Sequence, residues 1–207
     1  MRDRDVRTAV LTELDALHAG DANTRVVQEM GIWAGSVRVD VAVINGELHG
    51  FELKSARDTL ERLPAQAALY NQVFDRVTLV VAERHADKAL HIIPDWWGIW
   101  LASASNEQPV VLAPGRSNAS NPNLQPVQIA RLLWRAEALG ILDHHGLARG
   151  FRSKPVEALT HRLAAELPLD LLRDEVRLAL KVRQGWLGDN APQQCKMPIH
   201  ANLHPVE

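Results

Sequence analysis

Apolar positions in this chain follow two different periods, and each period predicts an element. Val6, Val10, Leu11, Leu14 and Leu17 recur at helical spacing, so residues 3 to 19 read as a helix, with Gly20 as its stop. Residues 25 to 32 read either as a strand or as the end of a helix. From Val37 to Ser55 two apolar-rich runs flank Asn45-Gly46, a strong hairpin signal. Pro64 suits the first turn of a following helix, and Val77 to Val81 reads as a buried strand. Residues 95 to 102 and 109 to 113 predict a second antiparallel hairpin, joined by a polar turn. A Pro-, Ser- and Asn-rich stretch from 114 to 126 reads as a linker. Helical spacing then resumes over 127 to 142, 155 to 166 and 169 to 186. The tail from 188 has no period. The predicted organisation is a core over 1–113, a linker over 114–126, a helical module over 127–187 and an irregular tail over 188–207.

The first hairpin contains three ionisable groups, Asp40, Glu52 and Lys54, inside strands that should be well buried. Burying charge costs several kcal/mol unless it is paired or metal-bound. Side chains alternate along a strand, so the register decides which groups meet. A strict two-residue Asn45-Gly46 loop puts Asp40 on the side away from Glu52 and Lys54. A three-residue loop or a bulge makes opposed numbers sum to an even value. Val37, Val39, Val41 and Val43 then join Phe51 and Leu53 on one apolar face. Asp40, Glu52 and Lys54 share the other, with Gly50 leaving room between them. The hydrophobic pattern favours the even register, supplied by a turn with Gly46 in the left-handed conformation.

Two carboxylates of this kind suit Mg²⁺ or Mn²⁺, and a nearby lysine can neutralise charge developing on a phosphoryl group. The competing reading is an Asp/Glu/Lys salt-bridge cluster on a solvent-facing sheet. The co-occurrence of the three groups on one face favours the metal site.

Asp40, followed after eleven residues by Glu52-Leu53-Lys54, resembles the core motif of the PD-(D/E)XK nuclease superfamily. Gln66 and Tyr70, one helical turn apart, are similar to the Gln-x-x-x-Tyr motif of its RecB and lambda-exonuclease branch. The order helix, three strands, helix, strand also matches. Val39 stands where the name-giving proline would be. The same region is similar to a small group of bacterial and phage proteins. The resemblance implies an α/β, restriction-endonuclease-like core, a mixed sheet flanked by helices. It implies Mg²⁺ held by Asp40, Glu52 and the Leu53 carbonyl, and hydrolysis of phosphodiester bonds leaving 5′-phosphate ends. Lys54 would orient or deprotonate the attacking water, and Gln66 and Tyr70 would face the metal site. Glu29 is a candidate third acid, evenly balanced against a surface charge. Glu13 is a further candidate, for which a solvated helix face is the favoured reading.

Composition narrows the partners. The net charge of −2 argues against a generally basic nucleic-acid coat, so local patches must do the binding. Arg38, Arg57 and Arg62, and the group Arg149, Arg152 and Lys154, are candidate phosphate contacts, each equally readable as a surface charge. The expected partner is DNA, with RNA not excluded, in a homo-oligomer or a larger nucleoprotein complex. A non-catalytic nucleic-acid-binding or protein-interaction module on the same fold is the alternative. Three tryptophans, Trp96, Trp97 and Trp100, invite a base-stacking reading, but packing is favoured. The single cysteine, Cys195, fits a reducing cytoplasm, and no apolar run reaches membrane-spanning length. His144-His145 alone is no metal signature, and Cys195, His200 and His204 lie in the aperiodic tail.

Overall fold

The computed structural model describes residues 1–32, 35–104 and 109–186. Helix α1 (Asp3–Leu17) leads into strands β1 (Arg25–Ile32), β2 (Val37–Ile44) and β3 (Leu48–Lys54). Helix α2 (Leu63–Tyr70), strand β4 (Arg76–Ala82), helix α3 (Ala86–Leu90) and strands β5 (Gly98–Ser103) and β6 (Val111–Pro114) follow. Helices α4 (Pro126–Ala130), α5 (Arg135–His144), α6 (Val156–Glu166) and α7 (Leu169–Val182) complete the described chain. The architecture is α/β. Six strands form one mixed sheet in sequence order, with β3–β4 and β4–β5 parallel and the remaining neighbours antiparallel. Among the described residues no helix is long and apolar enough to cross a membrane.

Each face of the sheet buries its own apolar set. Val6, Val10 and Leu14 of α1 pack on Val41, Val43, Phe51, Leu53 and Val80. These helix positions lie four apart, the spacing that aligns side chains along one face. The opposite face carries a larger cluster, in which α2 and α4 to α7 cover Ala42, Ile44, Leu48, Val77 and Leu79. The C-terminal helices therefore share this core with the sheet. The stretch expected as a linker is tied down as well. Asn121 donates to the Asn71 and Phe74 carbonyls at 2.8 Å, and the Gln125 amide donates to Gln72 O at 3.0 Å.

Three expectations need correcting. The helix expected over 127–142 breaks at Arg131–Trp134. There Leu132 and Leu133 are both buried, Trp134 is extended, and its amide donates to Glu137 Oε2 at 2.6 Å, which starts α5 afresh. Gly50 does not leave open room, because the Phe74 ring lies 3.2 Å from where its Cβ would stand. The four valines of β2 do not share a face either. Val41 and Val43 pack under α1, but Val39 lies in the opposite cluster with Val37 against it.

The reason is a flip of the alternation at Glu29 and Asp40. On β1, Val27 and Met30 enter the same cluster although three positions apart, where a regular strand would send them to opposite faces. Between them Glu29 has φ of 52°, the one non-glycine residue with positive φ among those described. Glu29 and Asp40 are the single pair missing from an otherwise continuous β1–β2 register.

The tryptophans pack rather than offer a stacking platform. Trp97 is fully buried, lies 6.0 Å from Tyr70 with ring planes 13° apart, and donates its indole N–H to Asn71 Oδ1 at 2.8 Å. Trp100 packs against the α1-side cluster, 5.4 Å from Phe51. The tail with Cys195, His200 and His204 lies outside the described residues.

Candidate active site

The β2–β3 ladder has the even register. Val41 pairs with Phe51, Ala42 with Gly50 and Ile44 with Leu48, so the loop is the three residues Asn45 to Glu47. Asn45 closes it twice: its amide donates to Glu47 O at 3.1 Å, and its Oδ1 accepts the Glu47 amide at 3.0 Å. Such an Asx-type closure does not need a left-handed residue, and Gly46 is not in that conformation, contrary to expectation.

Beyond Val41–Phe51 the ladder stops. The Leu53 amide, which a continued ladder would bond to β2, donates instead to Asp40 Oδ2 at 2.8 Å. The two strands therefore part where Asp40, Glu52 and Lys54 lie. This is a consequence of the flip at Asp40, which leaves its carboxylate free to turn toward β3.

Glu52 is buried and saturated. Its Oε1 accepts from Lys54 Nζ at 2.5 Å and from Gln66 Nε2 at 2.6 Å, and its Oε2 accepts from the Tyr70 hydroxyl at 2.7 Å. Lys54 Nζ also donates to Gln66 Oε1 at 3.1 Å. The Tyr70 hydroxyl oxygen also lies 2.9 Å from the Arg38 carbonyl, so its one proton is shared between two acceptors. One turn of α2 thus brings Gln66 and Tyr70 onto the face that meets β3. Residue exposure is 1% for Glu52 and 6% for Lys54.

Asp40 sits at the wetter end of the gap. Its Oδ1 accepts from Arg7 Nη2 at 2.9 Å, and Arg7 Nη1 donates to the Asp40 carbonyl at 2.9 Å. The same Nη2 lies 2.9 Å from Glu29 Oε1. Glu29 and Asp40 are therefore bridged by one guanidinium carried on α1. Arg7 was missed by sequence reasoning. The available signal was its place next to Val6, at the edge of the stripe that α1 buries.

Burial makes both acids costly to ionise. Burial raises the pKa of Asp40, against the lowering effects of the Leu53 amide, Arg7 and Lys54. Burial also raises that of Glu52, and repulsion from Asp40 adds to it, against the opposing effects of Lys54 and Tyr70. The Tyr70 hydroxyl is pushed up by burial and then by Glu52, so it stays a phenol and donates. Asp3, Glu29, Asp40 and Glu52 face Arg7 and Lys54: four carboxylates less two cations leaves two negative charges. A divalent cation held by carboxylate oxygens suits that balance and donor set.

The remaining candidates have exposed side chains, and Arg38 meets the site only through its carbonyl, beside Tyr70. Glu13, Arg38, Arg57 and Arg62 are exposed. Arg152 is committed to Asp143 at 2.5 and 2.9 Å, while Arg149 and Lys154 are exposed beside it. Two surface clefts stand out. One of about 300 Å³ lies between Gln72, Gln125 and His161. The other, about 530 Å³, lies at the carboxyl ends of β4 and β5 between Ala56, Arg84 and Ser103. Neither is lined by Asp40 or Glu52.

The profile described as Bacteriophage P4 protein cII matches residues 1–187. Protein cII of Enterobacteria phage P4 is 25% identical over 162 residues, covering 78% of this chain and 60% of that protein, so the chain spans less than two thirds of its relative's length. A protein of unknown function from Silicibacter pomeroyi is similar at 21% identity with a TM-score of 0.44, over 75% of this chain and 98% of that one.

Proposed function

The chain belongs to the bacteriophage P4 protein cII family, and for this member we propose a metal-dependent nuclease with a restriction-endonuclease-like core of the PD-(D/E)XK type, acting most readily on DNA. The observation that carries this reading is the convergence of Lys54, Gln66 and Tyr70 on the buried Glu52 carboxylate, beside Asp40 in the gap between β2 and β3. A structural salt bridge does not need two additional polar side chains from a separate helix and a second acid that burial makes costly to ionise.

Asp40 and Glu52 are the residues that would hold Mg²⁺, with the Leu53 carbonyl beside them. When bound, the ion would polarise the scissile phosphate and lower the pKa of a coordinated water. Lys54 keeps an ammonium beside the Glu52 carboxylate, placed to stabilise negative charge developing on the phosphoryl oxygens. Gln66 holds both Lys54 and Glu52, and so fixes the lysine's position. Tyr70 holds Glu52 from the other oxygen. Arg7 steadies Asp40 and Glu29 in place of a cation.

One observation favours the second reading, a nucleic-acid-binding or interaction module without turnover. Both oxygens of Glu52 are already engaged inside the protein, and the residue is almost wholly buried. The two readings separate in one experiment. A nuclease degrades or nicks DNA with Mg²⁺ or Mn²⁺, stops with EDTA, and loses activity as Lys54→Ala. A binder retards DNA in a metal-independent, salt-sensitive manner and gives no product. Presenting RNA and DNA of one sequence side by side settles the nucleic acid.

A further inference from the structure

A second cluster of ligand-type side chains lies in the C-terminal helices. His144 is the last residue of α5, and His145 caps that helix, with its amide bonded to Ile141 O at 3.1 Å. Gly146, with φ of 70°, turns the chain away at once. Glu175 reaches this point from the middle of α7, and its Oε1 lies 2.7 Å from His145 Nε2. The two imidazoles stand nearly perpendicular, with centroids 4.9 Å apart. One ligand atom from each of the three side chains falls within 4.8 Å of the other two. Among the described residues this is the one such group of three.

We propose that His144, His145 and Glu175 form a binding site for a transition-metal dication of the Zn²⁺ class, clasping the end of α5 to α7. Two imidazole nitrogens and a carboxylate oxygen are a borderline donor set, suited to Zn²⁺ and poorly suited to Mg²⁺. Bonds of 2.0–2.2 Å in a tetrahedron place ligand atoms about 3.4 Å apart, so the His145–Glu175 pair opens by a fraction of an ångström while His144 draws in. His144 is exposed and can turn without disturbing the core, and its side of the site leaves the fourth position to water. The carbonyl end of α5 adds a partial negative charge where the cation would stand. The site shares no residue with the acid site on β2 and β3, and the proposal stands whether or not that site is catalytic.

The test uses the full chain, with Zn²⁺ titrated by calorimetry and Co²⁺ followed by its visible absorption. Wild type should bind one equivalent with the absorption of a four-coordinate site, and Zn²⁺ should raise its thermal midpoint. His145→Ala and Glu175→Ala should each weaken binding by at least about tenfold, given that changes even around metal ligands cost about 10–100-fold. Both positions are partly exposed, and folding is checked by circular dichroism before titration. Equal Zn²⁺ affinity in wild type and in a His144→Ala/His145→Ala variant would overturn the proposal, because the ligands would then lie elsewhere. So would the absence of any Zn²⁺-dependent midpoint shift in the wild type, which would leave His145 and Glu175 as a hydrogen-bonded pair only.

Discussion

Asp75 and Glu52 are both buried carboxylates, and they are wired in opposite ways. Asp75 Oδ1 takes Arg173 at 2.8 Å, while Oδ2 takes Arg177 at 3.1 Å and the Leu48 amide at 2.6 Å. Two guanidiniums, both from α7, meet this one buried carboxylate, and each also pairs with an exposed acid of its own helix, Asp170 or Asp174. The result fastens that helix to the start of β3 and leaves no demand for a further cation. Glu52 meets one ammonium and a second acid, Asp40, and the pKa of both acids is raised. The first arrangement is complete within the chain. The second holds charge under tension, and functional sites are where such tension is found. A carboxylate's burial therefore says little by itself; the balance of charge around it separates a staple from a site.

The largest effect on folding is expected at the staple. Asp75→Asn removes the buried anion shared by Arg173 and Arg177 and leaves Arg177 only the exposed Asp174, and breaking such a buried pair costs about 3–5 kcal/mol. Denaturant titration should show the loss, with Mg²⁺ unable to recover it. At the site the order reverses. Lys54→Ala should lower Mg²⁺-dependent cleavage by about 100- to 1000-fold, as removal of one electrostatic donor does elsewhere. Tyr70→Phe should cost about 1–3 kcal/mol, because it strips one oxygen of Glu52 of its partner. A nuclease assay and a melting curve of the same two preparations separate these effects.

Acid titration gives a smaller and sign-specific contrast. The folded pKa of Asp40 is raised, so the native state holds its proton more tightly than the unfolded chain does. That stability is present at low pH and is lost as pH rises through the ordinary carboxylate range near 4 to the raised folded value. The stability difference between wild type and Asp40→Asn should therefore shift against the wild type as pH rises across that window, and added Mg²⁺ should offset the shift. No such offset is expected for a variant at Asp75. The smallest effect concerns Glu29. Its φ of 52° favours glycine, so Glu29→Gly should be more stable than Glu29→Ala by about 1 kcal/mol, the reverse of the usual strand preference.

Much of this was legible in the hydrophobic pattern. The hydrophobic pattern located α1, β2, β3, β4 and the β5–β6 hairpin, and Pro64 marked the start of α2. The even register followed from the same pattern, and the structure has it. What the pattern could not carry was the break in it. The flip at Glu29 and Asp40 is a matter of one backbone angle, and local composition does not announce a left-handed glutamate. The consequence was a wrong account of the valines and of the gap, whose width comes from the parting of β2 and β3 rather than from Gly50. Arg7 was hard to single out for a related reason. Glu29 and Asp40 are 22 and 33 residues away, and locally only its place beside Val6 and four residues from Asp3 sets it apart from Arg2 and Arg4. The split between α4 and α5 was hidden because Leu132 and Leu133 fit a helical stripe as well as a buried turn.

Asp40 and Glu52 act either as a cation-dependent catalytic pair or as a second structural staple. The direct measurement is cleavage of linear and supercoiled DNA by the full chain, in Mg²⁺ and in EDTA, for wild type, Asp40→Asn and Glu52→Gln with folding verified. The expected result is product with wild type in Mg²⁺, none in EDTA, and at least about a 100-fold loss in both variants. DNA left intact by well-folded wild type in both Mg²⁺ and Mn²⁺, or cleaved equally by all three proteins, would contradict it.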